Sequence, residues 1–96
     1  TVTQSLIEQG LTIDQVAEKR GMAASTIEGH VARLIGTGDL AITQFLDNEA
    51  AKEIAKTFAS EKDVGVKKVY ATLDGKYSFG EIRMVQSIIA SSDVGD

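Results

Sequence analysis

The chain has 96 residues, 43% of them hydrophobic and 25% charged, which suits one hydrophobic core and is too apolar for a disordered segment. It holds no cysteine and no proline among its nine glycines, so a disulfide framework and thiolate metal sites are excluded and glycine carries the punctuation. Ten basic residues stand against 14 acidic ones, a formal charge of −4, which excludes the broadly basic surface of a strong nucleic-acid binder.

No apolar run approaches the length of a bilayer span and no signal-peptide pattern opens the chain, so a reducing cytoplasm is expected and no membrane partner. The first residue is Thr1, not Met, which fits a domain excised from a longer protein. One domain is expected over residues 1–96.

In chain order, Ser5–Gln9 reads as a short first helix closed by Gly10, with Leu6 and Ile7 turned inward. Thr12 then offers an N-cap, and Thr12-x-x-Gln15 matches the capping box, with Leu11 and Val16 as its hydrophobic staple. Ile13, Val16 and Ala17 make one apolar face, and Gly21 supplies the left-handed residue that ends the helix. Ile27, Val31, Leu34 and Ile35 recur at i, i+4, i+7 and i+8. A capped helix, a glycine turn and a second amphipathic helix make a helix-turn-helix. Its second helix is predicted to start near Ser25 if Ser25-x-x-Glu28 forms a capping box, or at Ala23 or Ala24 if it does not.

Gly36-Thr37-Gly38-Asp39 is a turn cluster, and Leu40-Ala41-Ile42 reads as one very short extended segment. Asp47 or Asn48 caps a longer helix reaching about Ser60, with Leu46, Ala50, Ile54 and Phe58 spaced by four. A break is expected at Lys62–Gly65, followed by a stripe of Val66, Val69, Tyr70 and Leu73. The last helix opens on a second capping box, Ser78-x-x-Glu81, with Tyr77 and Ile82 as its staple, and buries Ile82, Val85, Ile88 and Ile89. Residues 91–96 show no pattern and are expected to fray. The expected fold is all-α, about six helices bundled around the helix-turn-helix.

These residues also carry a family likeness. The run VAEKRGMAASTIEGHVARLI resembles the helix-turn-helix of LuxR-type regulators. With LIEQGLTID, GTGDLAI and YSFGEIRMV, the chain more closely resembles the helix-turn-helix domain at the C-terminus of some bacterial RecQ-type DNA helicases. The likeness covers roughly Ser5 to Ile89. It implies an accessory DNA-binding module of an ATP-driven helicase engaged in DNA repair and recombination, working at the bacterial nucleoid beside a motor carried by the rest of the parent chain.

A recognition helix turns its early outward positions to base edges while its companion crosses the backbone. On that scheme Ala24, Ser25, Glu28, Gly29, Ala32 and Arg33 face outward. LuxR-type sequences favour basic or amide residues where this chain has Glu28 and Gly29, so binding is expected through phosphates and not by reading bases. The DNA-binding candidates are Lys19, Arg20, Ser25, Thr26, Arg33, Lys67 and Lys68. Each has a simpler explanation. Lys19 and Arg20 suit a helix C-terminus, Ser25 and Thr26 suit a helix start, and Lys67 and Lys68 suit a solvated face. His30 stands at the histidine position of the LuxR-like pattern and, lacking partners of metal-ligand type, is expected to pack or hydrogen-bond locally.

No phosphate-binding loop, nucleophile beside a base or metal-ligand spacing is present, so no catalysis and no cofactor are expected of this segment. Two functions stay open. One is weak, salt-sensitive DNA binding; the other is a protein-docking module on a helix-turn-helix scaffold whose DNA face is lost, which the acidic charge favours.

Overall fold

Six helices form, in a computed structural model that describes residues 2–60 and 64–94, the last four by backbone alone. They are α1 (Val2–Glu8), α2 (Ile13–Arg20), α3 (Ala24–Thr37), α4 (Asn48–Ser60), α5 (Val66–Thr72) and α6 (Phe79–Val94). A single 3₁₀ turn, Ile42–Gln44, stands where a short extended segment was expected. No strand occurs among the described residues.

Side-chain caps set the starts of α2, α4 and α6. Thr12 Oγ1 accepts from Gln15 N at 3.1 Å while Gln15 Oε1 accepts from Thr12 N at 2.8 Å. Ser78 and Glu81 repeat the exchange at 3.1 and 2.9 Å. Asp47 Oδ1 takes the Ala50 amide at 2.8 Å. Gly21 ends α2 in the left-handed region, φ 65° and ψ 36°, where a Cβ would be strained.

Two predicted boundaries move. α1 begins at Val2, three residues before the expected Ser5, because Thr3 is buried with Leu6 and Ile7 on one helical face. α3 begins at Ala24 with Ala23 as a cap that makes no side-chain hydrogen bond, so the Ser25–Glu28 box does not form. Of the expected break at Lys62–Gly65, Val64 and Gly65 are non-helical and the rest lies outside the described residues; of residues 91–96, expected to fray, 91–94 continue the backbone helix and 95–96 lie outside the described residues. Backbone helix continues to Val94.

Apolar side chains gather in two clusters that share α6. The first joins Val16, Ile27, Val31, Ala32, Leu34 and Ile35 of the helix-turn-helix to Leu6, Ile7, Leu40 and Met84. The second joins Leu46, Ala50, Ile54 and Val69 to Ile82 and Val85. α6 therefore presents Met84 to one cluster and Ile82 and Val85 to the other. A helix apolar on opposite sides must be buried on both.

α3 and α6 lie side by side and run in the same direction. Glu28 meets Gly80 near their starts, and Gly36 meets Ser87 further along. The approach is close: a Cβ on Gly36 would stand 3.2 Å from both Ser87 Cβ and Ser87 O. The packing braces the second helix of the motif along its length.

Candidate nucleic-acid interface

Packing against α6 decides which part of α3 meets solvent. Ala32 is only 2% exposed, although an outward position was expected for it. Ala24 and Glu28 are half-buried on the same side. The free stripe is instead Ser25, Thr26, Arg33 and Thr37, with half-buried Gly29 and His30 along its edge.

Glu28 is corrected in its role as well as its position. Its carboxylate rests on Gly80, in the first turn of α6, where a Cβ would come within 2.5 Å of Glu28 Cδ and 2.9 Å of Oε1. Glycine leaves the room, and the positive end of the helix dipole favours the charge. Glu28 thus joins α3 to α6 and neither caps its own helix nor faces a ligand.

The basic candidates divide by location. Arg20, from the last turn of α2, and Arg33, from the middle of α3, line one recess of about 280 Å³ with Val2, Thr3, His30 and Leu34. No carboxylate of the described residues lines it. Arg20 Nη1 donates to Thr3 Oγ1 at 2.7 Å, and the same oxygen lies 3.2 Å from His30 Nδ1. Thr3 is 1% exposed, so this buried hydroxyl fixes one guanidinium and one imidazole together. Arg33 is exposed and has no hydrogen-bond or ion-pair partner among the described residues.

Lys19 points elsewhere, lining a shallow hollow with Leu11, Gln15 and Glu18. Ser25 and Thr26 are exposed at the start of α3, with their hydroxyls unused by the cap. Lys67 and Lys68 are exposed on α5, which packs on α4 and α6 and not on the motif helices. They belong to the other half of the molecule.

A family model described as a helix-turn-helix domain matches residues 1–86. The chain belongs to this helix-turn-helix domain family. A 32-residue stretch is 56% identical to an ATP-dependent DNA helicase Pif1 of Psychrobacter sp. (strain PRwf-1), covering 33% of this chain and 5% of that protein. The chain thus spans a small fraction of the curated relative it matches. No solved structure matches.

Thr3 was missing from the expected interface of this helix-turn-helix domain. It precedes the motif, and its only sequence signal is that it lies three and four residues before Leu6 and Ile7, on their helical face. Phe79 is 42% exposed and stacks on Tyr70, centroids 4.2 Å apart at 16°, whereas Phe45 packs half-buried against the first cluster. On the far side, Glu53 accepts from Tyr77 Oη at 2.5 Å and from Lys76 Nζ at 2.9 Å. Those two donors hold the Glu53 carboxyl below the usual carboxylate range, and the same hydrogen bond raises the Tyr77 phenol.

Proposed function

We propose that this domain is an accessory DNA-binding module of an ATP-dependent DNA helicase, holding DNA near the motor through a few sequence-independent phosphate contacts. The observation that carries the reading is the meeting of Arg20 and Arg33, one from each motif helix, in a recess without an acid. Two guanidinium groups converging with no carboxylate between them suit an anionic ligand. Ser25 and Thr26 supply hydroxyls on the same helix, and Lys19, in its separate hollow with Glu18, lies outside the recess. Lys67 and Lys68 take at most a peripheral part.

The named function of the matched helicase supports the parent enzyme. The sequence resemblance points to RecQ-type helicases and the matched stretch to a Pif1-type enzyme, so we read the domain as an accessory attached to more than one helicase class. The motor, and any role in repair or recombination at the bacterial nucleoid, would belong to the rest of a longer chain of which these 96 residues form one domain.

Fluorescence anisotropy with duplex, forked and single-stranded oligonucleotides at low salt tests the proposal. Arg33→Ala is expected to weaken all sequences alike, because a phosphate contact positions without reading bases. The rival docking reading is favoured by the net charge of −4. It predicts no binding to any of the three DNA forms.

A further inference from the structure

Resting on the DNA-binding reading above, we propose that the Thr3–Arg20–His30–Arg33 recess is a socket for the phosphate at the end of a nucleic-acid strand. Three features of its chemistry lead there. The first is a surplus of donors. Arg33 keeps all five N–H groups unpaired among the described residues, and Arg20 spends one on Thr3 Oγ1. With that oxygen accepting from Arg20, the hydroxyl proton is free to go to His30 Nδ1 when that nitrogen is the ring's acceptor. The recess has much to donate and almost nothing to accept.

The second feature is charge. Arg20 and Arg33 both line the recess and no carboxylate of the described residues does, and a phosphate monoester carries about −1.5 to −2 at neutral pH. A diester within a strand carries half the charge needed. The third is shape. Val2 and Leu34 form apolar wall on a recess of about 280 Å³. A phosphate within a strand has chain leaving on both sides and suits a groove running through. A terminal phosphate has one ester link, three free oxygens and a single direction of exit, which suits a recess.

Thr3 makes the socket a built one. Its hydroxyl is 1% exposed yet bonded on both sides, so Arg20 and His30 are oriented before any ligand arrives, which lowers the ordering cost of binding.

The test compares one single-stranded oligonucleotide in three forms: 5′-phosphorylated, 3′-phosphorylated, and hydroxyl at both ends. Affinity is read by anisotropy at low salt. One phosphorylated form is expected to bind about tenfold tighter than the hydroxyl form, the low end for a charge-assisted hydrogen bond, and which one does so identifies the terminus. Arg33→Ala, at an exposed and unpartnered position, is expected to abolish the difference without lowering the melting temperature. Arg20→Lys, which keeps charge but loses the fork, is expected to reduce it. Added inorganic phosphate is expected to shift the backbone amides of Thr3, Arg20, His30 and Arg33. Equal affinity for all three forms overturns the socket and leaves DNA binding standing. A preference that survives both substitutions, or amide shifts confined to other residues, places the phosphate elsewhere and also overturns it. Failure of every form to bind removes the DNA reading and the socket together.

Discussion

Replacing Glu28 by Gln separates the two roles this residue could have. The substitution keeps the shape and removes the charge that rests on the first turn of α6. A carboxylate at a helix N-terminus contributes about 0.3–1 kcal/mol when exposed and up to about 2 kcal/mol when partly buried. Glu28 is half-buried, so a loss of about 1 kcal/mol is expected. For a domain of this size that lowers the melting temperature by roughly 4–8 °C, and the loss shrinks at high salt as the charge is screened. Gly80→Ala completes the test. Alanine favours the helix by up to about 1 kcal/mol, but its Cβ must displace the Glu28 carboxylate. The gain is therefore expected in full only when Glu28 is also Ala, with a coupling of about 0.5 kcal/mol or more across the double-mutant cycle. Thermal unfolding of the five proteins (parent, Glu28→Gln, Glu28→Ala, Gly80→Ala and the double variant) at low and high salt reads all these terms. A Glu28→Gln domain as stable as the parent at low salt, with additive Gly80 and Glu28 effects, would refute the contact and return Glu28 to the DNA-facing surface.

The other expectations concern caps, packing and titration. Ser78→Ala removes the oxygen that holds the Glu81 amide and should cost about 0.5–2 kcal/mol, whereas Ser25→Ala should leave urea unfolding unchanged because Ser25 caps nothing. Gly36→Val forces bulk against Ser87 and is expected to cost about 1–3 kcal/mol through overpacking of the α3–α6 contact; a neutral result would mean the helices separate freely there. Tyr77 should ionise above the ordinary tyrosine value of 10.0, because its hydrogen bond to Glu53 favours the protonated phenol. A raised folded-state value makes this a contribution that is complete below pH 10 and lost as pH rises through the folded midpoint. Phenolate absorbance should show Tyr77 titrating earlier in Glu53→Gln, and an unmoved midpoint would discount the bond.

Local chemistry made most of the fold legible. Both capping boxes that form, Thr12–Gln15 and Ser78–Glu81, are four-residue patterns whose partners lie within one turn, so nothing distant overrides them. The buried stripe Ile27–Val31–Leu34 was readable from spacing alone, and each member is at most 8% exposed. What spacing could not give was the second partner of α3. Ser25–Glu28 satisfies the capping pattern as well as the other two, but α6 offers Glu28 a competing position at Gly80, fifty-two residues away, and the pairing across that distance leaves no local trace. Met84 was missed for the same reason: it lies off the Ile82–Val85 stripe because α6 is buried on two sides. At the candidate site the individual cations were visible, but their grouping was not. Arg20 and Arg33 share a recess while Lys67 and Lys68 lie on another helix layer, a division set by how α1 closes over the motif through Thr3.

The salt dependence of duplex binding tests the central proposal most directly. Arg20 and Arg33 give about two phosphate contacts and Lys19, in its separate hollow, at most a third, so a plot of log affinity against log salt should have a slope of roughly −1.8 to −2.7, with a Kd on the order of 10⁻⁴–10⁻⁶ M at physiological salt. Arg33→Ala should make the slope shallower by roughly 0.9 and leave sequence preference unchanged. A flat salt response, or a slope that Arg33→Ala leaves untouched, would contradict phosphate binding on this face of the helix-turn-helix.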